Sequence, residues 1–219
     1  MSDIIAVAQR KGGVGKTTLS ISLAAELRRR GRNVALVDSD PQASACHWAQ
    51  LGNLEFPVYE LALADQAVPT WVRDVRTVSA DCVVIDTAPS DRALGASIAL
   101  ANLVVVPCTP SSLDLDATMR TLEIIDAVRI RRGGYPNMIL VPNRVDVRTL
   151  EGRQLLEELV AFGEAVSPTI GDRAPFVRAA STGRYVAEER GGAAAHREIE
   201  RLCDVVEKSL ATISREVRT

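Results

Sequence analysis

Aromatic residues make up only 4% of this 219-residue chain, so any core must be built from Val, Ile, Leu and Ala. The four cysteines, Cys46, Cys82, Cys108 and Cys203, stand apart, and no C-x-x-C pair marks a zinc site or a cluster. Cys82 and Cys108 fall in apolar runs and read as core thiols, which fits a reducing compartment. No stretch of ~20 apolar residues is present to span a bilayer. The short apolar N-terminal run meets a glycine-rich segment at once, unlike a signal peptide. A net charge of −2 excludes a globally basic nucleic-acid binder, so any DNA contact must come from a local patch. His47 and His196 have no metal-spaced partners and receive no role. There is no internal repeat or low-complexity linker. What remains is a cytoplasmic chain whose 47% hydrophobic content suffices for a large core, read as one domain over residues 1–219.

The most informative feature present is Lys11-Gly12-Gly13-Val14-Gly15-Lys16-Thr17-Thr18. It follows the apolar run Ile4–Ala8 and leads into a helical stretch, Thr18–Arg30. That is the strand–glycine loop–helix context of a phosphate-binding loop. Glycines let the backbone turn tightly and aim N–H groups at phosphate oxygens, and the helix N-terminus adds partial positive charge. Lys16 would reach the β- and γ-phosphates, and the Thr17 hydroxyl would hold Mg²⁺. The usual pattern wants glycine at position 10, where this chain has Arg10, and a second lysine, Lys11, stands at the front. Lys16 already serves the bound nucleotide, so Lys11 is expected to act beyond it.

Continuous apolar runs predict buried parallel strands at Ile4–Ala8, Asn33–Val37, Cys82–Ile85, Leu103–Val106 and Met138–Val141, with weaker ones at Pro57–Leu61 and Val166–Ile170. Helical patterns lie between and after them at Thr18–Arg30, Ser44–Leu51, Asp65–Val78, Leu113–Arg131, Leu150–Phe162 and Ala194–Ser214. The alternation predicts an α/β fold with a doubly wound, mostly parallel sheet flanked by helices. Ligands in such sheets bind beyond the carboxyl ends of the strands. The polar clusters follow the strands accordingly: Lys11–Thr18, Asp38–Gln42, Asp86–Pro89, Thr109–Ser111 and Pro142–Arg144.

Asp86 ends an apolar strand, as a Walker B aspartate does, and would hold Mg²⁺ or a water bound to it. Asp38 and Asp40, two apart after the second strand, can orient an attacking water and attract the metal. An amide such as Asn143 suits a purine edge, and it suits a turn equally well. Arg28, Arg29, Arg30 and Arg32 read as a helix C-cap; Arg129, Arg131 and Arg132 read the same way or as part of a basic patch.

On these residues the chain resembles the ParA/MinD family of deviant-Walker P-loop ATPases, most closely the short ParA-type partition and cargo-positioning members. The matching pieces are Lys11–Thr18, Asp38–Gln42, Asp86–Pro89, Pro142–Arg144 and Asp172–Val186. The resemblance implies that Lys11 reaches the partner's nucleotide across an ATP-dependent homodimer. It makes Lys11, Lys16 and Asp40 catalytic, and places Thr17, Asp38 and Asp86 at the Mg²⁺. Nucleotide binding is implied for Gly12, Gly13, Val14, Gly15, Thr18, Asn143 and Arg144, Asn143 matching the adenine reader. It implies slow ATP hydrolysis stimulated by a ParB-like or adaptor protein, sequence-independent DNA binding on the nucleoid, and Arg178, Arg184, Arg197 and Arg201 as DNA-contact candidates.

The loop begins at residue 11, so no N-terminal helix-turn-helix extension and no operator binding are expected. The C-terminal stripe Ile199, Leu202, Val206, Leu210, Ile213 and Val217 reads as a helix packed on the sheet. A MinD-like membrane-surface ATPase, anchored by that helix, is the alternative. The tail from Ser214 to Thr219 has mixed charge and lacks an anchor's basic and bulky apolar pairing, so no stable membrane association is expected. A metabolic P-loop ligase would have no counterpart of Lys11, and an iron–sulfur reductase would need paired cysteines.

Overall fold

The computed structural model describes residues 2–63 and 66–216. Within these residues seven parallel strands form one sheet: β1 (Asp3–Val7), β2 (Val34–Asp38), β3 (Val58–Glu60), β4 (Cys82–Asp86), β5 (Leu103–Cys108), β6 (Asn137–Pro142) and β7 (Ala165–Val166). Their order across the sheet is β3-β2-β4-β1-β5-β6-β7. The chain moves to one side of β1 for β2–β4 and to the other for β5–β7. β1 therefore sits at the switch point, where an α/β sheet opens a crevice beyond its strand ends.

Among the described residues, eight α-helices cover the two faces: α1 (Lys16–Arg29), α2 (Ser44–Ala49), α3 (Val68–Arg76), α4 (Asp91–Leu100), α5 (Ser112–Arg131), α6 (Leu150–Ala161), α7 (Ala174–Thr182) and α8 (Ala193–Glu216). Side-chain alternation along β1 sorts the core. Ile5 and Val7 join residues of α1, α2, α7 and α8, while Ile4, Ala6 and Ala8 join those of α3, α4, α5 and α6. Burying a large aliphatic side chain in either layer stabilises by about 1.5–3 kcal/mol. Trp71 is fully buried in the second layer, and its indole N–H donates to the Leu61 carbonyl at 2.6 Å.

Six of the expected strands are present; the seventh, expected at Val166–Ile170, is instead the two-residue β7, Ala165–Val166, and overlaps it only at Val166. β7 ends at Val166, although the Ser167 and Ile170 N–H groups still donate to Leu140 and Pro142. Pro168 between them has no N–H to continue a ladder. The third expected helix starts at Val68, with Pro69 in its first turn; Asp65 lies outside the described residues, as does Val217 of the C-terminal stripe. Two helices were not foreseen. α4 is nearly all small and apolar, so it shows no polar stripe; the Ser90 hydroxyl caps it by accepting from Ala93 N–H. α7 begins with Pro175 in its first turn and ends on Gly183 at φ +69°.

The arginines after α1 are not merely a helix cap. Arg29 and Arg30 both hold Glu26, and Arg30 also spans to Asp204 and Glu207 of α8. Arg32 pairs with Asp3, Arg129 pairs with Glu164, and Arg132 donates to the Ala101 carbonyl. Along α8, Ile199, Leu202, Val206, Leu210 and Ile213 are spent on the sheet. Among the described residues, no helix is long and apolar enough to cross a membrane.

Candidate functional site

The first turn of α1 is the centre of the site. Its N-cap is Gly15, at φ +94°, and no side chain caps the turn. The leading N–H groups of a helix lack intrahelical partners, so they point at whatever occupies the space ahead. That space is a cavity of about 500 Å³ bordered by Gly13, Lys16, Thr17, Asp40, His47 and Pro89. A second hollow of about 230 Å³ adjoins it, with Asn143, Ile170, Asp172 and Phe176 in its walls. Gly15, Thr18, Arg144 and Ala180 border both, giving a bipartite cleft. The first part, with Lys16 and the start of α1 at its edge, suits phosphates; the second, with Leu19, Ile170 and Phe176 in its walls, suits a base.

Lys16 is 8% exposed, and its ammonium donates to the Lys11 carbonyl at 3.0 Å. Burial lowers its pKa, while the Asp86 and Asp40 charges pull back toward the protonated form. Asp86 ends β4 and is almost fully buried. It accepts from the Thr17 hydroxyl at 2.6 Å and the Ser20 hydroxyl at 3.2 Å. Burial pushes its pKa up to about 7, the Asp38 charge adding and the Thr17 hydroxyl, Lys16 and Ser20 opposing. A buried carboxylate with that much desolvation cost, bonded to a serine and a threonine hydroxyl, is an oxygen set suited to Mg²⁺. Ser20 was missed in the sequence, although its position three residues after Thr17 puts both hydroxyls on one helix face.

Asp38 and Asp40 are neighbours with different surroundings. Asp38 is fully buried; one of its oxygens accepts from Asp40 N–H and the other from Ala45 and Cys46 N–H. It thus pins the start of α2 and shapes the loop that presents Asp40. Asp40 borders the phosphate cavity and accepts from Gln42 N–H at 2.9 Å. Ala43 completes this loop at φ +50°, a left-handed conformation that strains a residue with a Cβ.

Asn143 follows β6 and is buried. Its side-chain amide donates to the Val14 carbonyl at 2.7 Å, and a Cβ added at Gly15 would stand 2.5 Å from that nitrogen. In this geometry Asn143 clamps the glycine loop from the side of the second hollow. Arg144, at φ +54°, is exposed beside it. Lys11, Gly12 and Gly13 form the accessible front of the loop.

The four arginines singled out as DNA-contact candidates do not line this cleft. Arg178, Arg184, Arg197 and Arg201 are exposed. Arg178 donates to the Arg190 carbonyl and Arg201 to the Arg197 carbonyl, at 2.8 and 3.2 Å. Arg173, by contrast, is committed to Glu198. His196 acquires partners the sequence did not reveal: it meets Glu26 at 3.2 Å and packs edge-on against Tyr185. Glu26, His196 and Glu200 bring possible metal ligands together, but arginines already bind both glutamates.

Residues 5–186 match the family model described as the CobQ/CobB/MinD/ParA nucleotide binding domain. The chain is 34% identical over 168 residues to maintenance of carboxysome distribution protein A from Halothiobacillus neapolitanus, covering 75% of this chain and 77% of that one. It is also 34% identical over 218 residues to the chromosome-partitioning ATPase Soj from Thermus thermophilus, covering 84% and 87%. Among solved structures it superposes on apo McdA from Cyanthece with a TM-score of 0.78 at 18% identity, covering 96% of this chain and all of that one.

Proposed function

The chain belongs to the CobQ/CobB/MinD/ParA nucleotide-binding family, and from that premise we propose that it is a ParA-type positioning ATPase. It is a P-loop ATPase using ATP and Mg²⁺. In our reading it dimerises on ATP, binds duplex DNA without sequence preference, and partitions or positions a cargo: a plasmid, a chromosome region or a large protein assembly. A partner protein accelerates hydrolysis and releases it. The observation that carries this is the extended similarity to two proteins named for distribution and partitioning, combined with an open glycine loop fronted by Lys11.

The placement of these residues supports a role for each. The N–H groups at the start of α1 and the Lys16 ammonium bind the β- and γ-phosphates. Thr17 and Asp86 hold Mg²⁺, whose charge when bound offsets that developing on the phosphate oxygens. Asp40 orients the attacking water and takes up its proton. Asp38 acts mainly by fixing the Asp40 loop. Lys11 of a second copy supplies a cation in trans, as an arginine finger does. Asn143 and Arg144 border the base. Arg178, Arg184, Arg197 and Arg201 offer phosphate contacts to DNA, and the protein works at the nucleoid.

Binding to random-sequence duplex DNA, measured with ATP, ADP and no nucleotide across a salt series, tests this. The expected result is binding with ATP alone that weakens steeply with salt. Absence of DNA binding in all three states overturns it. Asp40→Ala should then trap the DNA-bound dimer, and Lys11→Ala should bind ATP without assembling a productive dimer.

A further inference from the structure

The front of the glycine loop is fastened from below by a buried polar assembly that the nucleotide site does not use. Gln9, the last residue before Arg10, is fully buried. Its amide nitrogen donates to the Pro107 carbonyl at 3.2 Å and to the Thr118 hydroxyl at 3.0 Å. Its amide oxygen accepts from the Arg10 N–H at 2.8 Å. The Thr121 hydroxyl lies 2.7 Å from that oxygen and itself accepts from the Arg10 N–H at 3.2 Å. Thr118 and Thr121 are both fully buried on α5.

The Thr121 hydroxyl also lies 2.8 Å from the Ala117 carbonyl of its own helix, which holds it in place. A buried amide with partners at both its nitrogen and its oxygen restrains its neighbours, because displacing it leaves buried donors or acceptors unpaired. What it fixes here is the Arg10 peptide. Arg10 is the residue that departs from the standard loop, and it is absent from the positive-φ residues, so glycine is not required at this position. Its guanidinium reaches Asp91 at the start of α4 at 2.9 Å. The next residue is Lys11, whose carbonyl receives the Lys16 ammonium.

We propose that Gln9 and Thr121 are positioning residues for ATP hydrolysis: through the Arg10 N–H they set the place of Lys11 at the front of the loop. The loop then has two separate moorings. Asn143 holds its middle through the Val14 carbonyl, beside the turn that cradles phosphate. The Gln9–Thr121 pair holds its front, where the lysine needed for turnover stands. Loosening the second mooring should spare nucleotide binding and slow hydrolysis.

The inference rests on the loop being an ATP-hydrolysing one with a working Lys11. The test measures nucleotide affinity with a fluorescent ATP analogue and hydrolysis in single turnover, with melting temperature recorded for each variant. Gln9→Met keeps the side-chain length and removes the amide. It should bind the analogue within about threefold of wild type and hydrolyse about tenfold more slowly, since small misplacements of reacting groups carry penalties of this order. Thr121→Val should slow hydrolysis by about threefold, while Thr121→Ser, which keeps the hydroxyl, should match wild type. The double variant Gln9→Met/Thr121→Val should be no slower than Gln9→Met alone, because the two act at one point. A folded Gln9→Met that hydrolyses at the wild-type rate overturns the proposal, as does equal loss of affinity and rate. If Gln9→Met does not fold, Thr121→Val decides alone, and wild-type turnover in it has the same meaning. A wild-type protein that binds ATP without hydrolysing it would instead refute the underlying reading of the site.

Discussion

The two ends of α1 solve opposite electrostatic problems. At the N-terminal end, Gly15 leaves the first turn uncapped and open to a cavity, and a buried carboxylate, Asp86, waits beside it with a raised pKa. At the C-terminal end everything polar is matched. Glu26 is fully buried, yet it accepts from Arg29, Arg30 and the Tyr185 hydroxyl, and His196 lies within hydrogen-bonding distance. Burial alone would push the Glu26 carboxyl up; the bonds from Arg29, Arg30 and His196 overcome it and hold the pKa at about 2. One end keeps its electrostatic potential for a ligand, whereas the other consumes its own to bind α8. A helix can be rigid enough to aim a binding loop only if its far end is anchored.

The sharpest way to break the contrast is to remove Glu26. Glu26→Leu leaves Arg29, Arg30 and Tyr185 without their shared acceptor and should destabilise by about 3 kcal/mol in chemical denaturation, with ATP affinity of the remaining folded protein unchanged. Lys16→Ala should do the reverse. Losing a charged donor to phosphate should weaken ATP binding by about a hundredfold in a titration while leaving the melting temperature of the nucleotide-free protein close to wild type. Intact affinity would refute the assignment of the loop.

Gly15→Ala probes the seam between the two regimes. The new methyl would meet the Asn143 amide at 2.5 Å on a backbone at φ +94°, so about 1–2 kcal/mol of strain should appear as lost stability or lost affinity. The smallest effect is the pH dependence of the closed end. The folded pKa of Glu26 is below that of an unfolded glutamate, about 4.3. Its stabilisation is therefore complete above that value and disappears as pH falls from there toward about 2. Between pH 6 and pH 3, wild type should lose more stability than Glu26→Gln; parallel curves would remove Glu26 from the acid response.

Much of the open end was legible because glycine loops and strand-end carboxylates are local. Lys11–Thr18 and Asp86 announce themselves by spacing, and the apolar runs placed six of the seven strands described, the run at Val166–Ile170 meeting β7 only at Val166. The closed end was not legible, because its partners are far apart in the chain. Glu26 and His196 are 170 residues apart, and each reads alone as an ordinary helix residue. Arg29 and Arg30 looked like a cap for the same reason. α4 escaped because a helix buried among other elements carries no polar stripe.

The sequence by itself determined the α/β alternation, the glycine loop and the strand-end carboxylate Asp86, since each depends on residues close in the chain and on one local conformation. Only the tertiary structure decided that Asp38 braces the Asp40 loop, that Asn143 moors the loop's middle and Gln9 its front, and that α8 locks onto α1 through Arg30. Those bonds join residues brought together by sheet order and helix packing, and no pattern along the chain encodes which buried donor will find which acceptor.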